Sequence, residues 1–447
     1  MSLEDCPREI LLSVLDWLPP ADLFSTSLLN RKWCAMTEPV LYSEIELVWN
    51  RHQAPPIHLL IRSLVERPEL SDHVRRLNLK AVGLREIPDW VRFSLFIEEG
   101  KWLLRKMGDV IRETQTPDLL WIPWRHDLRG CYMDAFVALL LAKLPNLTSL
   151  RLDAQFQLFG RSCGGMLKHA LLEPSKYQLP RYAGLTHVTA VDWNDRHDDD
   201  QLTPKILPLF YLPAVQHLEV TLDNPSRFSW PTPPPSPTTL VSLTVNRLRE
   251  VNLGPLLSPL TSLRKLNYDW LFRYDIDPHV STECIKLGAL ASALNQVSET
   301  LTDLTIHAQA LSVLSADHPE DLPLSFEGSL DDMARLERLE RLTIPWVFLI
   351  GAFSLSSSRN FGAGVPPSTQ TLTLTDDLFG DDPCDWESDA IYTVLEAELV
   401  RRQTARGNLR HITLKLFPLS SGFTSSEKRA KLKQLGDEAG IVLTLPS

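Results

Sequence analysis

A short apolar phrase recurs through most of the chain and constrains its fold more than any other feature. In each copy two apolar residues flank one polar residue. A third apolar residue often stands three positions before the first of the two, as in LPNLTSLRLDA and LERLERLTIPW. Alternation with a period of two predicts a short β-strand with one buried face. Such strands are predicted at Leu77 and Leu79, Leu150 and Leu152, Val188 and Ala190, Leu218 and Val220, Leu243 and Val245, Leu266 and Tyr268, Leu304 and Ile306, Leu342 and Ile344, Leu372 and Leu374, Ile412 and Leu414, and finally Ile441 and Leu443.

Helical segments separate many of these strands. From Leu150 onward the strands follow one another at intervals of about 23 to 40 residues, which lies in the range of solenoid repeats. An alternation of strand and helix buries the apolar face of each unit on its neighbour. Helices are predicted over residues 89–113, 133–143, 283–298, 329–338 and 388–402.

The phrase resembles the L-x-x-L-x-L signature of leucine-rich repeats, with the long and irregular spacing of a helix-containing type. The resemblance implies a curved α/β solenoid with a parallel sheet on its concave side. The repeats in this chain are degenerate and lack the usual Asn or Cys at the turn. An ordinary α/β sandwich with similar strands is therefore the alternative.

Composition favours many short elements and argues against several functions. The chain has 33 Pro and only 19 Gly, so we expect many stops between short elements and regard the chain as a weak candidate for Gly-rich phosphate loops. We find no nucleophile elbow, Walker loop, dinucleotide fingerprint or zinc-protease helix. The proline run over residues 230–237 predicts a loop, which is a candidate ligand for an SH3 or WW domain but more simply joins two repeats.

Charge and cysteine usage predict where the protein works. The net charge is −11, which argues against binding to nucleic acid or to an anionic membrane. The six cysteines lie far apart and include no CxxC pair, so reduced thiols are expected rather than disulfides or a zinc site. The N-terminal sequence has no basic region of the kind that opens a secretory signal. We expect a cytoplasmic or nuclear protein without cofactors or metals.

Two acidic clusters stand out. Each follows a strand phrase directly, and neither has the spacing of a calcium-binding loop. We expect both to be solvated loops on one edge of the solenoid, where they would offer an acidic surface to a basic partner. Their members are Asp192, Asp195, Asp198, Asp199 and Asp200 in the first cluster, and Asp376, Asp377, Asp381, Asp382 and Asp385 in the second.

The first fifty residues differ from the rest and predict three short helices. The first helix starts at Pro7, and its apolar stripe consists of Ile10, Leu11, Val14, Leu15 and Leu18. Two prolines then stop it, and two further short apolar segments follow. A unit of this size has a marginal core and is expected to dock on the rest of the chain or on a partner. Its acidic charge argues against a DNA-binding helix-turn-helix.

The string CPREILLSVLDWLPPADLFSTSLLNRKWCAMTEPVLYSEI resembles an F-box. It departs from the family pattern at Cys6, where Leu is usual, and at Leu29 and Asn30. Those changes are mild, since Cys is itself a small apolar residue. The residues that match the pattern in order and spacing are Pro7, Glu9, Ile10, Leu11, Leu18, Pro19, Asp22, Leu23, Leu28, Arg31, Trp33, Leu41, Tyr42 and Ile45.

This resemblance implies a partner and a function. F-box domains bind the Skp-family adaptor of SCF-type cullin–RING ubiquitin ligases through an apolar surface of their helices. The resemblance leaves open which residues face the adaptor and which fill the core of the domain. Carried over to this sequence, the adaptor-binding residues are Pro7, Ile10, Leu11, Leu15, Leu23, Leu28 and Trp33.

The sequence thus predicts three regions: an F-box at 1–48, an irregular helical linker or first repeat at 49–135, and a leucine-rich-repeat-like solenoid at 136–447. Its composition also resembles that of fungal F-box proteins. The predicted function is a non-enzymatic substrate-recognition subunit, in which the box binds the adaptor and cullin ligase core and the solenoid binds the protein to be ubiquitylated. The alternative is an interaction scaffold that directs no ubiquitylation.

Overall fold

A computed structural model of the chain shows a mixed α/β fold. It describes residues 6–50, 54–83, 97–157, 161–191, 203–225, 227–273, 282–311, 324–350, 361–378, 390–404, 407–416 and 426–445. The chain divides into two compact units. Unit 1 comprises residues 1–196 and 204–215, and unit 2 comprises residues 197–203 and 216–447.

Unit 1 starts with three short helices and continues with alternating strands and helices. Its elements are α1 (Arg8–Leu15), α2 (Pro20–Ser27), α3 (Arg31–Leu41), β1 (Glu44–Asn50), α4 (Ile57–Glu66), β2 (Arg76–Val82), α5 (Ile97–Glu113), α6 (Asp118–Arg129), α7 (Met133–Ala142), β3 (Ser149–Asp153), α8 (Ala154–Gln157), α9 (Arg161–Leu172), β4 (His187–Val191) and α10 (Thr203–Ile206), with 3-10 helices at Pro68–His73 and Leu207–Tyr211.

The strands of unit 1 form a parallel sheet in the order β1-β2-β3-β4. The predicted apolar positions align across it, because Leu77 is in register with Leu150, and Leu150 with Val188. All three side chains are buried. Helix α7 contacts the helices α4, α6, α8 and α9 and is buried along most of its length, which agrees with its run of apolar residues from Phe136 to Leu141.

Unit 2 repeats the same alternation. Its elements are β5 (His217–Thr221), β6 (Ser242–Asn246), α11 (Glu250–Leu257), β7 (Lys265–Arg273), β8 (Cys284–Lys286), α12 (Leu287–Leu294), β9 (Asp303–Leu311), β10 (Ser325–Glu327), β11 (Arg341–Pro345), α13 (Trp346–Ile350), β12 (Thr371–Thr375), α14 (Ala390–Thr404), β13 (His411–Lys415), α15 (Ser426–Ala439) and β14 (Val442–Thr444), with 3-10 helices at Asn295–Val297, Asp331–Arg335 and Phe361–Gly364.

The main sheet of unit 2 is parallel and runs β5-β6-β7-β9-β11-β12-β13-β14. One apolar ladder crosses all eight strands in register, and seven of its eight side chains are buried. Its members are Leu218, Leu243, Leu266, Leu304, Leu342, Leu372, Ile412 and Leu443. The parallel sheet and the N-terminal helices confirm the predicted α/β fold class.

The opposite face of the same strands carries polar residues, because successive side chains of a strand point to opposite faces. Six of the eight residues in one row are threonine, and none of the eight is buried. The row consists of Glu219, Thr244, Asn267, Thr305, Thr343, Thr373, Thr413 and Thr444. Unit 2 therefore has one sheet face in its core and one polar face toward solvent.

Several predicted segments differ from the structure. The helix predicted over 283–298 is wrong at its start, where Cys284–Lys286 forms a strand that pairs with β10. The helix predicted over 329–338 is reduced to a short 3-10 turn at Asp331–Arg335. The first part of the helix predicted over 89–113 lies outside the described residues. The proline run over 230–237 is a loop, as predicted.

Candidate functional site

The three N-terminal helices form a small domain, which we call the box, with a core of its own. Leu11 and Leu15 from α1 pack with Leu23 from α2 and with Trp33 and Met36 from α3. The two α1 residues lie one helical turn apart and so share one face of the helix. These five side chains are at most 7 % exposed. The box therefore buries one apolar stripe per helix.

The helix ends of the box are set by local sequence. The carbonyl oxygen of Pro7 accepts hydrogen bonds from the amides of Ile10 and Leu11, which starts α1. Proline at the first position of α2 needs no partner for its missing N–H. The side-chain oxygen of Asn30 accepts a hydrogen bond from the Trp33 amide at 3.0 Å and caps α3.

A second apolar stripe of the box faces solvent. Ile10 and Val14 lie on α1 and Trp17 just after it, while Phe24 lies on α2 and Leu28 and Leu29 just after that helix. We call these six residues the exposed box surface. Trp17 is 89 % exposed and Leu28 is 70 % exposed. The described residues include fifteen large apolar side chains that are exposed, and six of them fall within residues 10–29.

Such a concentration of exposed apolar side chains marks an interaction site, because soluble proteins rarely leave large apolar patches in water. The box also carries exposed charged residues, including Glu9, Asp16 and Asp22. Apolar anchors accompanied by polar groups are the usual composition of a protein–protein interface.

The seven residues predicted to bind the adaptor divide into two groups. Pro7, Ile10 and Leu28 are exposed. The other four lie in the core of the box, because they are on the sides of the helices that face one another. These four are Leu11, Leu15, Leu23 and Trp33. The residues predicted to bind did not include Val14, Trp17, Phe24 or Leu29. The one available signal was the helical spacing of Ile10, Val14 and Trp17.

The box is joined firmly to the rest of unit 1. Arg67 makes two hydrogen bonds of 2.7 Å with the carboxylate of Glu38 on α3 and a third with Glu69. This pairing raises the pKa of Arg67, mainly through Glu38. Only two residues separate α3 from β1, and the Ser43 carbonyl accepts hydrogen bonds from the amides of Arg75 and Arg76. The last helix of the box thus leads directly into the sheet.

The acidic clusters do not form a metal site in the described part of the chain, where no group of three or more potential ligands is found. The first cluster and Asp381, Asp382 and Asp385 lie outside the described residues. Asp376 and Asp377 were expected to be solvated, and this expectation is wrong. Asp376 is buried, and Asp377 makes a 2.8 Å hydrogen bond with His307 and accepts another from the Ala308 amide.

None of the cysteines that the structure describes takes part in a disulfide. Burial raises the pKa of the Cys163 thiol, so this cysteine stays protonated and unreactive near neutral pH. Among the described helices, none is both long and apolar enough to span a bilayer.

Comparison with known proteins identifies the box. Residues 3–38 match the family model of the F-box domain. The box is therefore an F-box domain, and that domain implies an adaptor role of the SCF type.

Comparisons over the rest of the chain are less informative. No curated protein matches the sequence. One similar solved structure, described as the crystal structure of the Rad7 and Elc1 complex in yeast, covers 77 % of this chain and 92 % of its own at 14 % identity, with a TM-score of 0.25.

Proposed function

We propose that the protein is a substrate-recognition subunit of an SCF-type cullin–RING ubiquitin ligase. The exposed box surface carries this proposal, because it lies within a domain that matches the F-box family. Its partner is a Skp-family adaptor, which links the chain to the cullin ligase core. The remaining α/β repeats bind the protein that is to be ubiquitylated.

The docking contacts come from the solvent-facing stripe of the box. Pro7, Ile10 and Leu28 keep the role predicted for them, and Val14, Trp17, Phe24 and Leu29 join them. Large aromatic and aliphatic side chains that are exposed in the free protein contribute the most binding free energy when a partner covers them. The four buried residues of the prediction support this surface from below by holding the helices in place.

The polar face of the unit 2 sheet is the proposed substrate surface. Its threonine row offers hydroxyl groups that both donate and accept hydrogen bonds, and rigid strands hold them at fixed intervals. A protein substrate can match such a row with its own polar groups. The opposite face is buried in the core of the unit and is not available for binding.

The subunit performs no bond chemistry in this proposal. Its contribution to the rate is proximity, because a substrate held on one part of the chain shares the complex with the enzyme that carries ubiquitin. The substrate lysines are then present at a high effective concentration near that enzyme, so the reaction does not depend on a rare encounter between the two in solution.

The second candidate is an interaction scaffold that binds the adaptor but leaves its partners stable. The measurement that separates the two is the half-life of proteins that co-precipitate with the chain in cells. A ligase subunit shortens their half-lives when its box is intact, and Leu28→Asp should lengthen them without releasing them from the chain. Unchanged half-lives would favour the scaffold.

A point variant is the correct tool for that comparison. Deletion of the predicted box at 1–48 would remove most of β1 and disturb the sheet of unit 1. Leu119→Asp on α6 is the matched control, since Leu119 is an equally apolar residue, 92 % exposed, outside the box. This control should leave the half-lives at the wild-type value.

A further inference from the structure

A pocket of about 470 Å³ lies between α5 and α6 in unit 1, outside the box. This volume falls within the range of roughly 300 to 1,000 Å³ that small ligands occupy in proteins. Four arginines line the pocket, namely Arg105 and Arg112 from α5 and Arg125 and Arg129 from α6. Asp109 is the one carboxylate among the described lining residues.

The positions of the arginines follow from helical geometry. Arg105 and Arg112 are two turns apart on α5, and Arg125 and Arg129 are one turn apart on α6, so each pair shares a helix face. The two helices are joined by a four-residue turn over 114–117. The sequence therefore directs two rows of guanidinium groups into one space.

The floor of the pocket is apolar and open. Leu128 is buried beneath it, and Leu104 is partly buried. Gly108 contributes no side chain, and a methyl group placed at this position would have Nε of Arg125 as its nearest neighbour, at 3.7 Å. Any larger residue at this position would project into the pocket, which glycine leaves free.

The charge of the pocket contrasts with that of the chain. Four arginines and one aspartate give the lining a net charge of +3, whereas the whole chain carries −11. Asp109 pairs with Arg112 at 3.1 Å, and the Arg125 guanidinium lies 5.1 Å from the centre of the Trp121 ring. Like charges one turn apart repel, so an anion in the pocket would relieve this repulsion.

We propose that this pocket binds a phosphate monoester, carried either by a small soluble molecule or by a phosphorylated serine or threonine of a protein. A phosphate monoester brings close to two negative charges and three acceptor oxygens. The planar guanidinium fork binds such oxygens in pairs, and all four described basic residues that line the pocket are arginines rather than lysines. The site is independent of the adaptor-binding role proposed for the box.

The competing explanation is that the arginine stems only cover apolar surface between the helices. Long basic side chains often lie along apolar neighbours while their charged ends stay in water. Under that explanation, loss of an arginine would weaken packing, but no phosphate ligand would bind the wild-type chain.

The test is calorimetric titration of the full chain with three probes: glycerol 3-phosphate, a short peptide with one phosphoserine, and the same peptide with serine. We expect one of the two phosphate probes to bind and the serine peptide not to bind. Arg125→Gln with Arg129→Gln should weaken that binding by about tenfold or more, since it removes two charge-assisted forks. Stronger binding of glycerol 3-phosphate would assign a small soluble ligand, and stronger binding of the phosphopeptide would assign a protein.

Two further variants separate a shaped site from general charge. Arg264→Gln with Arg410→Gln removes the same charge from unit 2 and should leave the affinity unchanged. Gly108→Leu keeps every arginine but fills the pocket, and it should abolish binding. Failure of both phosphate probes to bind, or equal binding by the pocket variants and the wild type, would overturn the proposal.

Discussion

Arg249 and Glu250 form an ion pair in unit 2 that is almost completely buried. Nε of Arg249 lies 3.1 Å from the Glu250 carboxylate, and the guanidinium donates to the carbonyls of Thr282 and Cys284. Glu250 accepts hydrogen bonds from Trp270 Nε1 and from the Lys286 amide. The pair thus connects β8 to α11 and β7. Strand β8 lies at the start of the segment 283–298, for which a helix was predicted.

Glu250→Ala should lower the free energy of unfolding by about 3–5 kcal/mol, because it leaves the Arg249 charge buried without its partner. Urea unfolding of the full chain measures this loss. The matched variant replaces both residues with apolar ones, Arg249→Met with Glu250→Leu, and should be less destabilised than the single variant. A larger loss in the double variant would contradict this account of the pair.

Asp134 in unit 1 provides a second residue-scale prediction, in the pH dependence of stability. Burial raises its pKa from the usual 3.8 to about 7, although the amides of Ser162 and Cys163 donate to its carboxylate and oppose the shift. The folded state therefore holds a proton that the unfolded state releases near its ordinary pKa. The contribution of Asp134 is complete at acid pH and is lost as the pH rises from about 4 to about 7.

Asp134→Asn removes this titration and keeps an oxygen that can accept from the Ser162 amide. The variant should gain stability relative to wild type as the pH rises from about 5 to about 8. Denaturant midpoints measured at both pH values test this, with the exposed Asp72→Asn as a control that should show no such trend. A constant difference between Asp134→Asn and wild type would contradict the prediction.

On α1, the residues of the box core and those of the exposed box surface are adjacent in the sequence. Leu11 and Leu15 point inward, whereas Ile10 and Val14 immediately precede them and point outward. All four are apolar, so the sequence predicts a helix but does not indicate which stripe faces α3. That choice depends on the position of Trp33, a tertiary contact that no local pattern encodes.

At the scale of elements, α3 depends on its N-cap. Asn30→Ala removes the oxygen that accepts from the Trp33 amide and should cost about 1 kcal/mol of local stability. Hydrogen exchange of the α3 amides should become faster, while the amides of α14 in unit 2 keep their wild-type rates. Asn30→Ser retains a capping oxygen and should stay close to wild type. Unchanged exchange in Asn30→Ala would show that the cap contributes nothing.

The repeated strands could be predicted because each presents two inward apolar residues. Both members of the pair in β6, Leu243 and Val245, are buried, and the same holds for β12. By contrast, β1 was not predicted, because Val48 between Leu47 and Trp49 breaks the alternation and because this stretch overlaps the end of the F-box pattern. The strand Cys284–Lys286 has three residues, too few for a period of two to stand out.

For the molecule as a whole, both units use one strand design, and the F-box helices precede the first strand of unit 1. Because neighbouring strands pair in register, equivalent residues align into an apolar ladder on one side of the unit 2 sheet and a polar row on the other. The domain boundaries at 48 and 135 remain predictions. The second predicted region, 49–135, contributes β2, which pairs with both β1 and β3.

The central claim about this protein is that the adaptor binds at the exposed box surface. The most direct measurement is the affinity of the purified full chain for a Skp-family adaptor, compared among wild type, Leu28→Asp and Leu119→Asp. We predict that Leu28→Asp weakens binding by about thirtyfold or more, the loss typical of an interface hot spot, while Leu119→Asp binds like wild type. Equal affinities for Leu28→Asp and wild type would contradict the account.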